Sequence, residues 1–500
     1  MIEEATILRF TIDKYVIDGA SLLQAADFDG VVAPYVGKEK DFSDVQYALE
    51  AVEALYADRG YSAVHVLLPE QELEAGEVHF QVIEGRYGKV AVKNNQFFSE
   101  QNALNAIPSV RPGGVPRARD VARELRLANE NPARQLNVVL KAGEQDNEVD
   151  ASVLVTDMKP SQWALTLDNS GSPETGKSRL GLSYRHANLF DRDHVGQIQT
   201  QISPEYMDRV KVLGGSYKVP LYTYGHSVEV FGGYSNINSV VGGLSNFQGG
   251  GVILSSRYNI PLERIGTFDP RLSFGLDWRK FSKVELTGTS PTVLYDDIVV
   301  TPASVAYAVQ GKLWGGDLGM NFSFTANLPV MSKGKSEDFA IYDHVNMSKP
   351  DAAYNVFRFG GNYFMTFKSD WQGRGACNGQ YSNSELIQGE QLRLGGVDGV
   401  RGFSEGSESG KTGMRCNLEG YTPSFDWKES STRAVFFFDG GLLNQNSKYH
   451  GIAGAGFGLR SNYSGQYSLR MDAGRIMNAG SDPQQVKGDW RLHASLVATF

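Results

Sequence analysis

From Ser161 onward, apolar and polar residues alternate in short segments divided by clusters of Gly, Asn, Asp and Pro. A period of two places successive side chains on opposite faces of a strand. In residues 271–279, Leu272, Phe274, Leu276 and Trp278 oppose Ser273, Gly275, Asp277 and Arg279; further on, Leu318, Met320, Phe322 and Phe324 oppose Gly319, Asn321, Ser323 and Thr325. The final segment sets Leu492, Ala494, Leu496, Ala498 and Phe500 against Arg491, His493, Ser495, Val497 and Thr499. A soluble sandwich also alternates, but inward glycines and arginines suit a hydrated lumen better. About sixteen segments, each of roughly twenty residues with its turn, fit between 161 and 500, as an even-stranded barrel requires. With strands about 4.8 Å apart and tilted about 40°, sixteen close a cylinder roughly 30 Å across, wide enough for an extended polypeptide.

Residues 1–157 have a different texture. Val45, Leu49, Val52 and Leu55 recur at helical spacing, Ser43 and Gln46 read as a capping box, and Gly60 reads as the stop. Alternating segments at 62–68 and 76–84, with turn-prone 69–75 between them, complete a β-α-α-β-β module. A second unit is expected at 87–157, with a helix near 117–129 and strands at 135–142 and 147–156.

Composition narrows the picture. The 500 residues include 56 Gly, 23 Tyr and 26 Phe, a bias towards turn-rich β structure. Mean hydropathy is -0.31 and no apolar run approaches the roughly 18 residues of a membrane helix, so a chain that crosses a bilayer must cross with strands. A net charge of -9 and dispersed basic residues give no support to nucleic-acid binding. Cys377 and Cys416 are too few for a disulfide scaffold and lack metal spacing; they read either as one disulfide or as two unpaired small side chains. The start, MIEEATILRF, has no basic n-region and no apolar h-region, so the expectation is a mature or trimmed form.

The most informative stretch is 394–403, LGGVDGVRGF, which sets Arg401 in a glycine-rich loop between two amphipathic strands. Downstream, Phe437-Phe438-Asp439 supplies a counter-charge, with Phe437 and Asp439 sharing the face turned from lipid. This pair of motifs resembles the TpsB family of outer-membrane transporters of two-partner secretion, in which a VRGY or VRGF loop tip meets an F-x-D strand inside the barrel. The likeness extends to 64–71 and 82–86, which resemble a first POTRA domain, and to the second unit, which resembles another. The expected fold is therefore mainly β: a 16-stranded transmembrane antiparallel β-barrel (158–500), preceded by POTRA domains at 1–86 and 87–157, with loop 386–412 folded inward.

The resemblance implies that Val400, Arg401, Gly402 and Phe403 form a latch motif. Their partners on the barrel wall would be Phe437 and Asp439, Arg401 pairing with Asp439 and Phe403 packing beside Phe437; Phe500 would carry the barrel-assembly signal. It also implies an outer-membrane pore with periplasmic POTRA domains that capture a large unfolded TpsA-type exoprotein (adhesin, haemolysin or contact-dependent toxin) and pass it through the barrel without ATP. Outer-membrane lipid and, during biogenesis, the barrel-assembly machinery are further expected partners. An insertase of the same superfamily and a passive porin are the rival readings. TpsB chains usually begin with a plug helix, so this form is expected to leak more than a full-length relative. No cofactor, metal or enzyme activity is expected. Gly402-Phe403-Ser404-Glu405-Gly406 matches the G-x-S-x-G elbow of hydrolases, but an elbow needs a strand-turn-helix setting with an aspartate and a histidine brought near, and this serine lies in a loop with no helical pattern after it.

Overall fold

The computed structural model describes residues 8–71, 76–145, 147–172, 175–236, 250–286, 292–344, 349–445 and 448–500. The first residues, 1–7, and most of the expected turn at 69–75 lie outside them. The chain divides into two units, chiefly residues up to 159 and the remainder.

In the first unit, strand Glu77–Glu84 lies between Lys14–Asp18, parallel to it, and Val64–Leu67, antiparallel. Helices Ala25–Val32 and Phe42–Asp58 complete a β-α-α-β-β module. Helix Phe42–Asp58 buries Val45, Ala48, Val52 and Tyr56 against Phe80 and Val82, with Leu49 and Leu55 at the margin. Its cap differs from the expectation. Asp41 adopts extended backbone and accepts from the Ser43 and Asp44 N–H groups at 2.8 and 3.3 Å, while Asp44 accepts from the Asp41 N–H at 3.1 Å. A carboxylate one residue outside the helix reaches both free N–H groups, which leaves Ser43 as an exposed helical residue. Gly60, at φ +90, ends the helix as read.

The second module repeats the plan. Strand Arg86–Lys93 runs parallel to Glu148–Asp157, which pairs antiparallel with Arg134–Ala142. Helix Ala118–Ala128 matches the sequence reading, and helix Glu100–Asn105, capped by Ser99, precedes it. Tyr87, Ile107, Leu136 and Val153 lie in this module's own core.

The second unit is the expected closed antiparallel barrel. Among the described residues, its sixteen long strands are β1 (Ser161–Asp168), β2 (Arg179–Leu189), β3 (His194–Ile202), β4 (Lys211–Leu221), β5 (His226–Ser235), β6 (Gly251–Pro261), β7 (Asp269–Phe281), β8 (Pro302–Leu313), β9 (Gly316–Asn327), β10 (Asn355–Thr366), β11 (Gln372–Tyr381), β12 (Thr412–Tyr421), β13 (Ser430–Gln445), β14 (Lys448–Tyr463), β15 (Tyr467–Asn478) and β16 (Trp490–Thr499). Closure pairs β16 with β1 in a register running from Ser495↔Asp168 to Thr499↔Ala164. Phe500 and Trp163 exchange both backbone hydrogen bonds at 2.9 Å.

Alternation sorts the wall as the sequence implies. Leu213, Leu254, Phe274, Leu276, Phe324, Phe436, Phe438 and Phe457 are exposed on the outside, whereas Asp277, Arg279, Asp439 and Asp472 are buried within. An apolar belt of this kind suits a hydrocarbon surrounding better than water. Connections at one end are short, among them 222–225, 314–315 and 464–466; at the other end they include 282–301, 328–354 and 382–411. Parts of those long connections pack over their own apolar core, which contains Phe281, Ile298, Phe339, Tyr342, Leu386 and Ile387.

Candidate functional site: a loop tip held in the barrel bore

Loop 382–411 leaves β11 and returns to β12 as an inward-folded hairpin. Its limbs pair through Leu392↔Gly410 and Arg393↔Ser409. Beyond them the chain turns tightly, and Gly402, at φ +100, adopts a backbone that a side chain would strain. The tip lies flat on the wall because the wall has glycines there. A Cβ on Gly474 of β15 would fall 2.6 Å from the Gly402 nitrogen, and one on Gly454 of β14 would fall 2.1 Å from the Arg401 carbonyl oxygen.

Arg401 is only 1% exposed. Its Nε donates to Asp439 Oδ2 at 2.7 Å and its Nη2 to Asp439 Oδ1 at 2.8 Å, a bidentate fork. Its backbone N–H also donates to Asp439 Oδ2, at 3.0 Å. Nη1 donates to Glu419 Oε1 at 2.7 Å and lies 3.6 Å from Asp472 Oδ2. The guanidinium sits 3.6 Å from the ring centroid of Phe437, a cation–π contact on the remaining face.

The surrounding charges nearly balance. Arg374 and the Tyr421 hydroxyl donate to Glu419 at 2.9 and 2.6 Å; Arg460 and Arg470 donate to Asp472 at 2.8 to 3.0 Å. Asn417 donates both to the Gly399 carbonyl at 2.7 Å and to Asp439 at 2.8 Å. Arg470 also donates to the Val397 carbonyl at 2.8 Å, and the Gly402 N–H donates to His493 Nε2 at 3.3 Å. A polar cavity of about 340 Å³, lined by Arg374, Asp398, Arg460 and Arg470 among others, opens beside the cluster. It has room for water, so this ion pair is screened on one side and weaker than a dry one.

The sequence-derived residues fall as follows. Arg401, Phe437 and Asp439 converge. Val400 and Phe403 are fully buried, but in a cluster with Leu394, Leu443, Ile452 and Ile476. Phe403 therefore does not take the expected place beside Phe437, because the guanidinium already covers that ring. Cys377 and Cys416 face each other across β11 and β12, their sulfurs joined. Phe500 is 63% exposed at the edge of β16. The Ser404 hydroxyl accepts from Arg491 at 2.8 Å and Gln485 at 3.2 Å, neither of which takes a proton from it.

Glu419, Asp472, Asn417 and the glycines 454 and 474 were not foreseen. Period two would have marked Asn417 and Glu419 as inward on β12, and Asp472 and Gly474 as inward on β15. What it does not show is which inward residues lie beside the tip.

Residues 149–461 match the family model described as haemolysin secretion/activation protein ShlB/FhaC/HecB, and residues 10–85 match the POTRA domain, ShlB-type. The outer membrane transporter CdiB of Dickeya dadantii is 25% identical over 410 residues, covering 81% of this chain and 71% of its own. The heme/hemopexin transporter protein HuxB of Haemophilus influenzae is 21% identical over 492 residues, covering 94% and 83%. Among solved structures, CdiB from Escherichia coli aligns with a TM-score of 0.79 at 22% identity, over 100% of this chain and 92% of that one. BamA from Haemophilus ducreyi lacking POTRA domains 1–3 aligns at 0.52 and 14% identity, over 99% and 100%. These structural likenesses speak to fold alone.

Proposed function

The chain belongs to the ShlB/FhaC/HecB family of outer-membrane transporters, a family of secretion proteins rather than enzymes, and from that premise we propose that it exports one large exoprotein, unfolded, through its own barrel. Residues 1–86 and 87–157 are assigned to periplasmic POTRA domains that capture the client, and 158–500 to the pore. An extended client adds a strand to an exposed sheet edge in these modules, because unpaired backbone groups on both sides find partners. The short-turn end then faces the periplasm and the long-loop end the exterior.

The observation that carries this reading is the hairpin tip bound to the inner wall by Arg401 and Asp439. A barrel roughly 30 Å across its backbone, even when narrowed by inward side chains, leaks unless something occupies it. A loop fastened by polar bonds to a hydrated wall fills it and still lets go. The lumen offers fixed charges of both signs, with Asp277, Arg279, Arg358, Arg374, Glu419 and Arg460 on its walls, so a sliding chain finds no greasy trap. Movement needs no nucleotide: folding of the client outside biases it outward. The client is of TpsA type, an adhesin, haemolysin or contact-dependent toxin; outer-membrane lipid covers the apolar belt, and the barrel-assembly machinery inserts the barrel, with Phe500 in the signal.

Co-expression with a large secreted protein encoded beside this chain tests the reading. The client should reach the medium only when the chain is present. Retention of the client in the periplasm alongside a correctly assembled barrel would contradict it.

A further inference from the structure

The tip is not the only place where loop 382–411 is fastened to the barrel wall. On the limb that leaves β11, Leu386 and Ile387 are buried in the apolar core of the long connections. The next turn, Gln388–Glu390, passes so close to Phe281 that a Cβ on Gly389 would fall 2.2 Å from the ring. It delivers Glu390, whose side chain has no exposed surface.

Glu390 Oε1 accepts from Arg279 Nη1 of β7 at 2.7 Å, and Oε2 accepts from Arg358 Nη2 of β10 at 3.0 Å. Arg279 donates its other Nη to Asp277 at 2.5 Å, and Arg257 of β6 pairs with that same carboxylate. Gln380 of β11 closes the arrangement, donating to the Glu390 carbonyl at 2.9 Å and accepting from Arg358 Nε at 2.8 Å. Without Glu390, Arg279 and Arg257 would share Asp277, and Arg358 would lose its carboxylate partner.

The two cluster networks use different walls. Arg401 is held by β12, β13 and β15, whereas Glu390 is held by β7, β10 and β11. A carboxylate this buried is costly to place, and removing it alone strands the charges around it. An arrangement of that cost at the root of a plug fixes where the plug pivots.

We propose that Glu390 is a second positioning residue of the loop: an ionic anchor for its stem, independent of Arg401, that keeps the long-loop end closed and sets the hinge about which the tip swings. This rests on the reading of the loop as the plug of the pore. With both anchors made, the hairpin is tied to two parts of the wall. With the tip released, the stem still holds the loop in the mouth, and full opening needs release at both.

Open probability of single channels in planar bilayers tests this, with barrel assembly scored separately by heat-modifiable gel migration. Glu390→Gln keeps the shape and removes the charge; losing hydrogen bonds to charged groups should raise open probability about tenfold or more. Asp439→Asn should raise it through the tip, and the two effects should multiply, because the networks share no partner. In an Arg279→Gln/Arg358→Gln background, Glu390→Gln should add nothing. Unchanged open probability in assembled Glu390→Gln channels, with Asp439→Asn raising it, would overturn the second anchor and leave the plug standing. No change in either would bring down the plug reading itself. If Glu390→Gln does not assemble, Arg358→Gln, at the partly exposed side of the same cluster, should show a smaller rise, and its absence would equally overturn the proposal.

Discussion

At the scale of residues, one guanidinium does most of the holding. Arg401 faces Asp439, Glu419 and Asp472, whose side chains are at most 4% exposed. Removing one member of a dry pair costs about 3–5 kcal/mol, and the adjoining cavity brings the figure below that here. Arg401→Glu should therefore reduce export strongly and alter conductance. Adding Asp439→Arg should restore only part of both, since Glu419 and Asp472 still repel a carboxylate at 401; full export by the single variant would count against the latch. Shape is the second determinant. Gly474→Val should lift the tip from the wall, giving larger and noisier conductance in a barrel that still assembles, whereas wild-type traces would show that the close approach does not matter. Arg401 and Asp439 were legible because a motif and a period-two strand each point inward. Glu419, Asp472 and the place of Phe403 were not, since they depend on how the tip registers against the wall.

Individual elements show the same division. Helix Phe42–Asp58 was readable from its apolar stripe, but its cap was misplaced by two residues because Asp41 and Ser43 are both good capping residues and only backbone geometry selects one. Helix Glu100–Asn105 is too short to show a period. One interaction fastens the first POTRA sheet to the chain leading into its first helix. Glu84 accepts from the Ser21 and Leu22 N–H groups at 2.8 Å and from the Tyr56 hydroxyl at 3.1 Å, and it also takes the Ser21 hydroxyl. Burial pushes this carboxyl up, but the hydrogen bonds from Ser21, Leu22 and Tyr56 outweigh it and hold it below the ordinary range. A carboxyl depressed in the folded state stabilises it above the unfolded value of about 4.3, and that support fades as pH falls through the folded value. Protection of the amides in Glu77–Glu84 against hydrogen exchange, taken relative to the intrinsic rate at each pH, should accordingly fall between pH 5 and pH 3 by more than in Glu84→Gln. An equal loss of protection in both would remove Glu84 as the cause.

For the whole molecule, the barrel was legible because several strands carry a clean alternation, and about sixteen segments of similar length fix the architecture even when single boundaries drift. How the long connections fold was not legible. Their apolar residues, Ile298, Phe339, Tyr342 and Leu386, follow no single period and meet only once the barrel has brought their roots together. The central claim is that the hairpin lies inside the bore and must move for export. A Cβ on Gly441 of β13 would lie 3.2 Å from Leu394 Cγ, within disulfide reach of a cysteine at 394. Leu394→Cys with Gly441→Cys should cross-link loop to wall in the assembled protein, stop export while oxidised, and recover it on reduction. Free alkylation of both cysteines, or undiminished export through the cross-linked barrel, would contradict the account.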